Sequence, residues 1–272
     1  IASCLVGSEM CIRDRVTGIT LNVQNIEQMT QFYTNLLGLK VIDEQSNKIV
    51  LAIGNGGHTL TLQQIDNPRR PSVTEAGLFH IALLLPTRAD LANFLHFASS
   101  QGVQIGGGDH LVSEALYFND IEGNGIEIYY DRAPESWQWQ DEFVKMDTLQ
   151  VDVEDLLAQR TADGWNGMPN QAQIGHLHLK TANLEDARQF YINELGLQHV
   201  SKFPQALFMS TNNYHHHIAV NTWQSNKKRI DSDQSLGLTH IDIYKPNVTN
   251  KNLTSPEGIS VTLHNNTSVV PN

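Results

Sequence analysis

The sequence predicts an α+β protein built from four βαβββ modules. Two observations carry this: an internal duplication, and a hydrophobic period that switches within each copy from two residues to about 3.6. Residues 18–39 superimpose on 176–197 without a gap. The match sets Asn25 on Asn183, Glu27 on Glu185, Phe32-Tyr33 on Phe190-Tyr191, Asn35 on Asn193, Leu37 on Leu195 and Gly38-Leu39 on Gly196-Leu197. A second match, in a register two residues longer, sets Gly77-Leu78, His80 and Pro86 against Gly237-Leu238, His240 and Pro246. The chain is therefore a tandem duplication with two modules in each half.

In the first module, 16–65, Ile19, Leu21 and Val23 alternate as one face of a strand. An amphipathic helix follows and stops at Gly38, a glycine C-cap, before three more strands, among them 48–53 and 59–63. The second module, 77–132, carries a helix over 88–100. Residues 133–172 form a connector with Trp137, Trp139 and a short helix over 153–159. The third module, 173–223, repeats the first, with Leu177 and Leu179 on its opening strand. The fourth, 237–264, is stunted: between Pro246 and Ser255 only a few polar residues stand where the second module has its helix. The expected domains are 16–132 and 173–272, joined by the connector.

Residues 1–15 match nothing later in the chain. They are too short and polar for a signal peptide, and the run GSEMCIRDR resembles a translated sequencing adapter, so they read as a non-native leader. Both cysteines, Cys4 and Cys11, fall there. Arg13 and Arg15 offset Glu9 and Asp14, so the net charge of -11 does not depend on it. With 18 Lys+Arg against 29 Asp+Glu, the chain lacks the basic surface that nucleic acid or an anionic membrane requires. No apolar run approaches the roughly 18 residues of a membrane span. A cytoplasmic location is expected, and the oligomeric state, including a homo-oligomer, stays open.

One stretch is more specific: Gly108-Asp109-His110, five residues, Leu116-Tyr117, two residues, Asp120, then Gly123 and Glu127. A second is Tyr214-His215-His216-His217-Ile218-Ala219. On these and the four-module layout, the chain resembles the vicinal oxygen chelate superfamily, and within it the type I extradiol ring-cleaving dioxygenases of the catechol-2,3-dioxygenase kind. It departs at Ile121, where the family has a proline whose loss should loosen the loop.

The resemblance implies modules paired into two half-open barrels and O2-dependent ring cleavage of a catechol to a hydroxymuconic semialdehyde. The metal implied is Fe(II) held by two histidines and a glutamate, with Mn(II) as the alternative. In this fold the ligands project from the first and last strands of paired modules. The first-strand positions hold Gly18, His80, His176 and His240; the last strands of modules two and four offer Glu127 and Thr262. Modules one and two come up one ligand short, and modules three and four lack the carboxylate. Modules two and three supply His80, Glu127 and His176, which places the site across the two halves; His178 is the fallback if the register slips. Modules one and four would then form a barrel without metal.

By the same resemblance His216 is the acid/base. The run sits on the last strand of the third module, where neighbours face opposite ways, so His215 and His217 point away together, and a one-residue slip would swap the roles. His110 steadies one substrate oxygen and Tyr117 donates to the other. The glycine run 106–108 reads as a flexible approach to His110. The rival readings are a hydroquinone dioxygenase, a glyoxalase-like isomerase or thiol transferase, and a metal-free binding module.

Overall fold

A computed structural model describes residues 14–265. Residues 1–13, with both cysteines, lie outside the described residues. The last two residues of the expected leader are part of the fold. Arg15 opens the first strand, and the Asp14 carboxylate accepts a hydrogen bond from Lys245 Nζ at 2.7 Å.

The first module runs β1 (Arg15–Val23), α1 (Ile26–Asn35), β2 (Lys40–Gln45), β3 (Lys48–Ile53) and β4 (His58–Gln64). The second runs β5 (Gly77–Leu84), α2 (Arg88–Ser100), β6 (Gly106–Asp109), β7 (Ser113–Asn119) and β8 (Gly125–Asp131). The connector holds a small hairpin, β9 (Trp139–Gln140) and β10 (Phe143–Val144), and α3 (Val153–Ala158). The third module runs β11 (Gln173–Lys180), α4 (Leu184–Ala187, continued in π-helical form over Arg188–Glu194), β12 (Gln198–Phe203), β13 (Ala206–Ser210) and β14 (Ile218–Asn221). The fourth is β15 (Gly237–Tyr244), β16 (Lys251–Thr254) and β17 (Ser260–His264). It therefore lacks the helix and one of the strands of its counterpart in the first half.

The residues shared by the repeat are the ones that start, stop and dock the helices. Asn25 caps α1 by accepting from Gln28 N–H, and Asn183 caps α4 by accepting from Glu185 and Asp186 N–H. Gly38 (φ 70) and Gly196 (φ 77) end the helices in the left-handed region, where Leu39 and Leu197 N–H turn back to the Tyr33 and Tyr191 carbonyls. The two tyrosines then reach across to the following module: Tyr33 Oη donates to Asp120 at 2.9 Å, and Tyr191 Oη donates to Glu257 at 2.7 Å.

Within every module the first and last strands lie side by side and parallel: β1 with β4, β5 with β8, β11 with β14, β15 with β17. Modules join through their first strands, antiparallel, and the partners come from opposite halves of the chain. One sheet has the order β16-β17-β15-β1-β4-β3-β2, the other β12-β13-β14-β11-β5-β8-β7-β6. Each curls into a half-barrel.

Alternation along the strands gives the second sheet two different faces. Ile81, Leu83, Ile126, Ile128, Leu177 and Leu179 pack into one core shared with Leu21, Leu62, Ile241 and Val261 of the other sheet. His80, Ala82, Glu127, Tyr129, His176 and His178 occupy the opposite, concave face. No helix among the described residues is long and apolar enough to cross a membrane.

Two expectations change. The glycine run 106–108 is strand β6 rather than a flexible approach; a Cβ at Gly107 would strike Val151 Cγ1, so the missing side chains let the connector lie against the strand. The loop bearing Ile121 is not loose either. Asp120 Oδ1 accepts from the Glu122 and Asn124 N–H groups at 3.0 and 2.8 Å, supplying by hydrogen bonds the constraint a proline would give.

His58, buried at the start of β4, has its pKa lowered to about 4 by burial and by the charge on Arg15. Its depressed value adds stability above the unfolded value near 6.5, which is lost as pH falls through about 4. Urea unfolding should show this decline, shallower in His58→Gln by up to about 1.4 kcal/mol per pH unit. An identical slope in the variant contradicts it.

Candidate metal centre

Three adjacent strands bring His80, Glu127 and His176 together. Ala82 of β5 stands opposite Glu127 of β8 on one side and opposite His176 of β11 on the other, while His80 faces His178. The fully buried methyl of Ala82 thus lies between the carboxylate and an imidazole and leaves room above it. Glu127 Oε2 lies 2.8 Å from His80 Nε2 and 3.2 Å from His176 Nε2, and one nitrogen or oxygen from each residue falls within 4.8 Å of the others. It is the one such cluster among the described residues, and all three side chains are buried.

His176 reaches this place through a break in the strand. The β5–β11 register shifts between Ile174 and His176, so Ile174 stays in the core while His176 points to the concave face. Gly175 sits at the break because the Tyr129 hydroxyl occupies the space its Cβ would fill.

Burial and charge set the protonation. Desolvation pushes Glu127 up, but His176 and His80 outweigh it and hold the carboxyl well below the usual carboxylate range. Burial lowers His176 to about 4 against the pull of Glu127. At neutral pH Glu127 is therefore a carboxylate and His176 a neutral imidazole, the forms in which these groups ligate a metal. Two buried ring nitrogens, His80 Nε2 and His176 Nδ1, lack a hydrogen-bond partner. His80 Nε2 is close to the carboxylate but not aligned for a hydrogen bond, as expected of lone pairs directed at a common cation. The residues fit a divalent transition metal.

The cluster opens onto a cavity of about 940 Å³. His216, His110, Tyr117 and His178 also line it. The His216 ring centroid lies 4.0 Å from that of His176, and burial holds His216 well below the usual histidine range, as a neutral imidazole. His110 Nδ1 donates to the Asp147 carbonyl at 2.9 Å, which leaves its Nε2 to accept from Tyr117 Oη at 2.6 Å. Tyr117 is held protonated, its pKa raised by burial and then by Glu127. His110 and Tyr117 are thus bonded to each other. His178, the fallback, stays outside the cluster, with its Nε2 accepting from Asn221 Nδ2 at 2.9 Å.

Residues 15–128 match the Glyoxalase/Bleomycin resistance protein/Dioxygenase superfamily. Catechol-2,3-dioxygenase of Bacillus subtilis (strain 168) is 36% identical over 233 residues, spanning 83% of this chain and 81% of that one. The chain belongs to this superfamily. Biphenyl-2,3-diol 1,2-dioxygenase 3 of Rhodococcus globerulus is 28% identical over 125 residues, 45% of this chain and 66% of its own. Both relatives are dioxygenases, and the chain stands with the dioxygenases of the superfamily. Two solved structures share the fold: a Bacillus subtilis protein assigned as a dioxygenase (TM-score 0.63, 13% identity, 92% and 84% of the chains), and glyoxalase I from Zea mays (TM-score 0.57, 14% identity, 92% of each).

One expectation about the histidine run needs correction. Neither His215 nor His217 lines the cavity, but the run precedes the strand instead of lying on it, and His215 sits behind His216: its Nδ1 lies 2.7 Å from His216 Nδ1 and its Nε2 2.8 Å from Asp131 Oδ1. Strand β14 begins only at Ile218, so the alternation assumed for 215–217 does not apply. Sequence reasoning also missed Asp131, which carries no signal beyond lying near Glu127, and the wall formed by Phe79, Phe203, Phe208 and Trp223. The repeat could not flag that wall, because its residues come from different modules.

Gly175→Ala should destabilise the protein by about 1–3 kcal/mol in urea unfolding, since the new methyl must displace the Tyr129 ring beneath His176. Wild-type stability in this variant contradicts that packing.

Proposed function

We propose that the protein is an extradiol dioxygenase that opens the ring of catechol-type substrates with O2, using Fe(II), or Mn(II) in its place, held by His80, Glu127 and His176. The observation that carries this reading is the placement of two imidazoles and a carboxylate on one wall of a roomy cavity. A metal held by these three residues would have positions left for a diol and O2. Bound there, the metal supplies the one-electron chemistry through which O2 reacts with the ring, both oxygen atoms ending in the hydroxymuconic semialdehyde.

The chain's own residues handle protons and orientation. His216 is neutral, and with Nδ1 engaged by His215 its Nε2 is the nitrogen left to take the proton a diol loses on binding and to return it as the ring opens. The Tyr117 hydroxyl can rotate from His110 to a substrate oxygen, which frees His110 Nε2 to accept from the other hydroxyl. Phe79, Phe208 and Trp223 exclude water and offer faces against which a substituted ring can lie. The wall leaves space well beyond a bare catechol, which favours substituted rings.

Adding Fe(II) and catechol, or its alkyl and aryl derivatives, without air and then admitting O2 should give the yellow ring-opened semialdehyde. Colourless mixtures from a protein with bound iron would turn the reading toward hydroquinone cleavage or a non-oxidative reaction. Alanine at His80, Glu127 or His176 should abolish stoichiometric iron in the purified protein, measured by elemental analysis. Full iron occupancy in all three variants sinks the ligand assignment.

A further inference from the structure

Behind His216 a chain of polar groups leads away from the cavity wall. His216 Nδ1 lies 2.7 Å from His215 Nδ1, and His215 Nε2 lies 2.8 Å from Asp131 Oδ1. Tyr214 Oη donates to Asp131 Oδ2 at 2.8 Å, and Tyr129 Oη lies 2.7 Å from Tyr214 Oη. His215 is fully buried, with the Trp137 ring centroid 5.2 Å from its own. Neither His215 nor Asp131 lines the cavity.

We propose that His215 and Asp131 are positioning residues that fix which nitrogen of His216 carries the proton. A carboxylate only accepts hydrogen bonds. With Oδ2 taken by the Tyr214 hydroxyl, Asp131 Oδ1 receives the Nε2–H of His215. With one proton on each ring, His215 Nδ1 is then a lone pair, and the short contact between the two Nδ1 atoms is closed by the Nδ1–H of His216. His216 is left with its Nε2 lone pair on the cavity side, the form needed to receive a proton from a diol. The same contact fixes the ring's orientation, so a group outside the cavity sets both the aim and the chemistry of one inside it. The catalytic consequence rests on the dioxygenase reading; the tautomer does not.

The test exchanges two hydrogen-bonding roles without changing shape. In Asp131→Asn the Tyr214 hydroxyl still needs an acceptor, so the amide oxygen faces Tyr214 and the NH2 faces His215. His215 must then accept at Nε2 and donate from Nδ1, which forces His216 to accept at Nδ1 and carry its proton on Nε2. Long-range 1H–15N NMR at about pH 8, above the usual histidine range, reads this directly in metal-free and zinc-loaded protein, with the His216 signals assigned by their loss in His216→Asn.

The expected result is protonated Nδ1 in the wild type and protonated Nε2 in Asp131→Asn. In the iron-loaded variant kcat on catechol should fall roughly 10²-fold, within the range that a misplaced acid/base costs, with KM and iron content unchanged. A His216 tautomer that is the same in both proteins overturns the proposal, and so does an inverted tautomer with undiminished kcat. If the wild type opens no catechol ring, the dioxygenase reading fails while the NMR comparison still decides the tautomer.

Discussion

Glu127 is a carboxylate only 2% exposed on the wall of the cavity, and the rest of the site answers to that. An isolated buried charge costs several kcal/mol, and burial alone would drive the group to its neutral acid. Two imidazoles within about 3 Å hold it ionised instead. They can stand there only because β8, β5 and β11 are consecutive neighbours, and that order exists only because the second module pairs with the third. The antiparallel β5–β11 seam is therefore both the join between the halves of the chain and the floor of the site.

A sheet that serves two purposes needs two chemically distinct faces. On β5, β8 and β11 the apolar residues of one face close the core against the other sheet, and the polar residues of the other face the cavity. The break at Gly175 lets the two patterns coexist on β11. Without it Ile174 and His176 would share a face, and either the core or the site would lose a residue. Tyr129 packs into that gap and begins the hydroxyl chain that runs through Tyr214 to Asp131, so the same packing supports His176 from below and His216 from behind. The connector completes the cavity, with Met146 and Asp147 on its wall and the Asp147 carbonyl fixing the ring of His110.

The other sheet shows what the first would be without its site. Its equivalent strand positions carry Gly18 and His240. There Asp242 crowds Gly18 so closely that a Cβ would meet its carboxylate, and His240 pairs with Asp242 at 3.0 Å. The trimmed fourth module, without helix or fourth strand, is tolerated because its remaining strands still bury Ile241, Val261 and Leu263 in the shared core and still present Glu257 to Tyr191.

Much of this was legible in the chain itself. The duplication located the modules, the alternation of Leu177 and Leu179 put His176 and His178 on the opposite face, and ligand counting selected His80, Glu127 and His176 as a set. The glycine run and Ile121 misled, because one residue type supports both loose loops and close packing, and only the neighbours, Val151 in one case and Asp120 in the other, distinguish them. The histidine run misled for a related reason: it reads as part of a strand, but residues 214–217 precede β14, so the contact of His215 with Asp131 does not follow from periodicity. By itself the sequence determined what repeats locally: strand faces, helix caps, and the residue types each face presents. Only the tertiary structure decided which of those faces meet, because contacts such as His215 with Asp131 or Gly175 with Tyr129 join residues far apart in sequence whose approach is set by strand pairing and register.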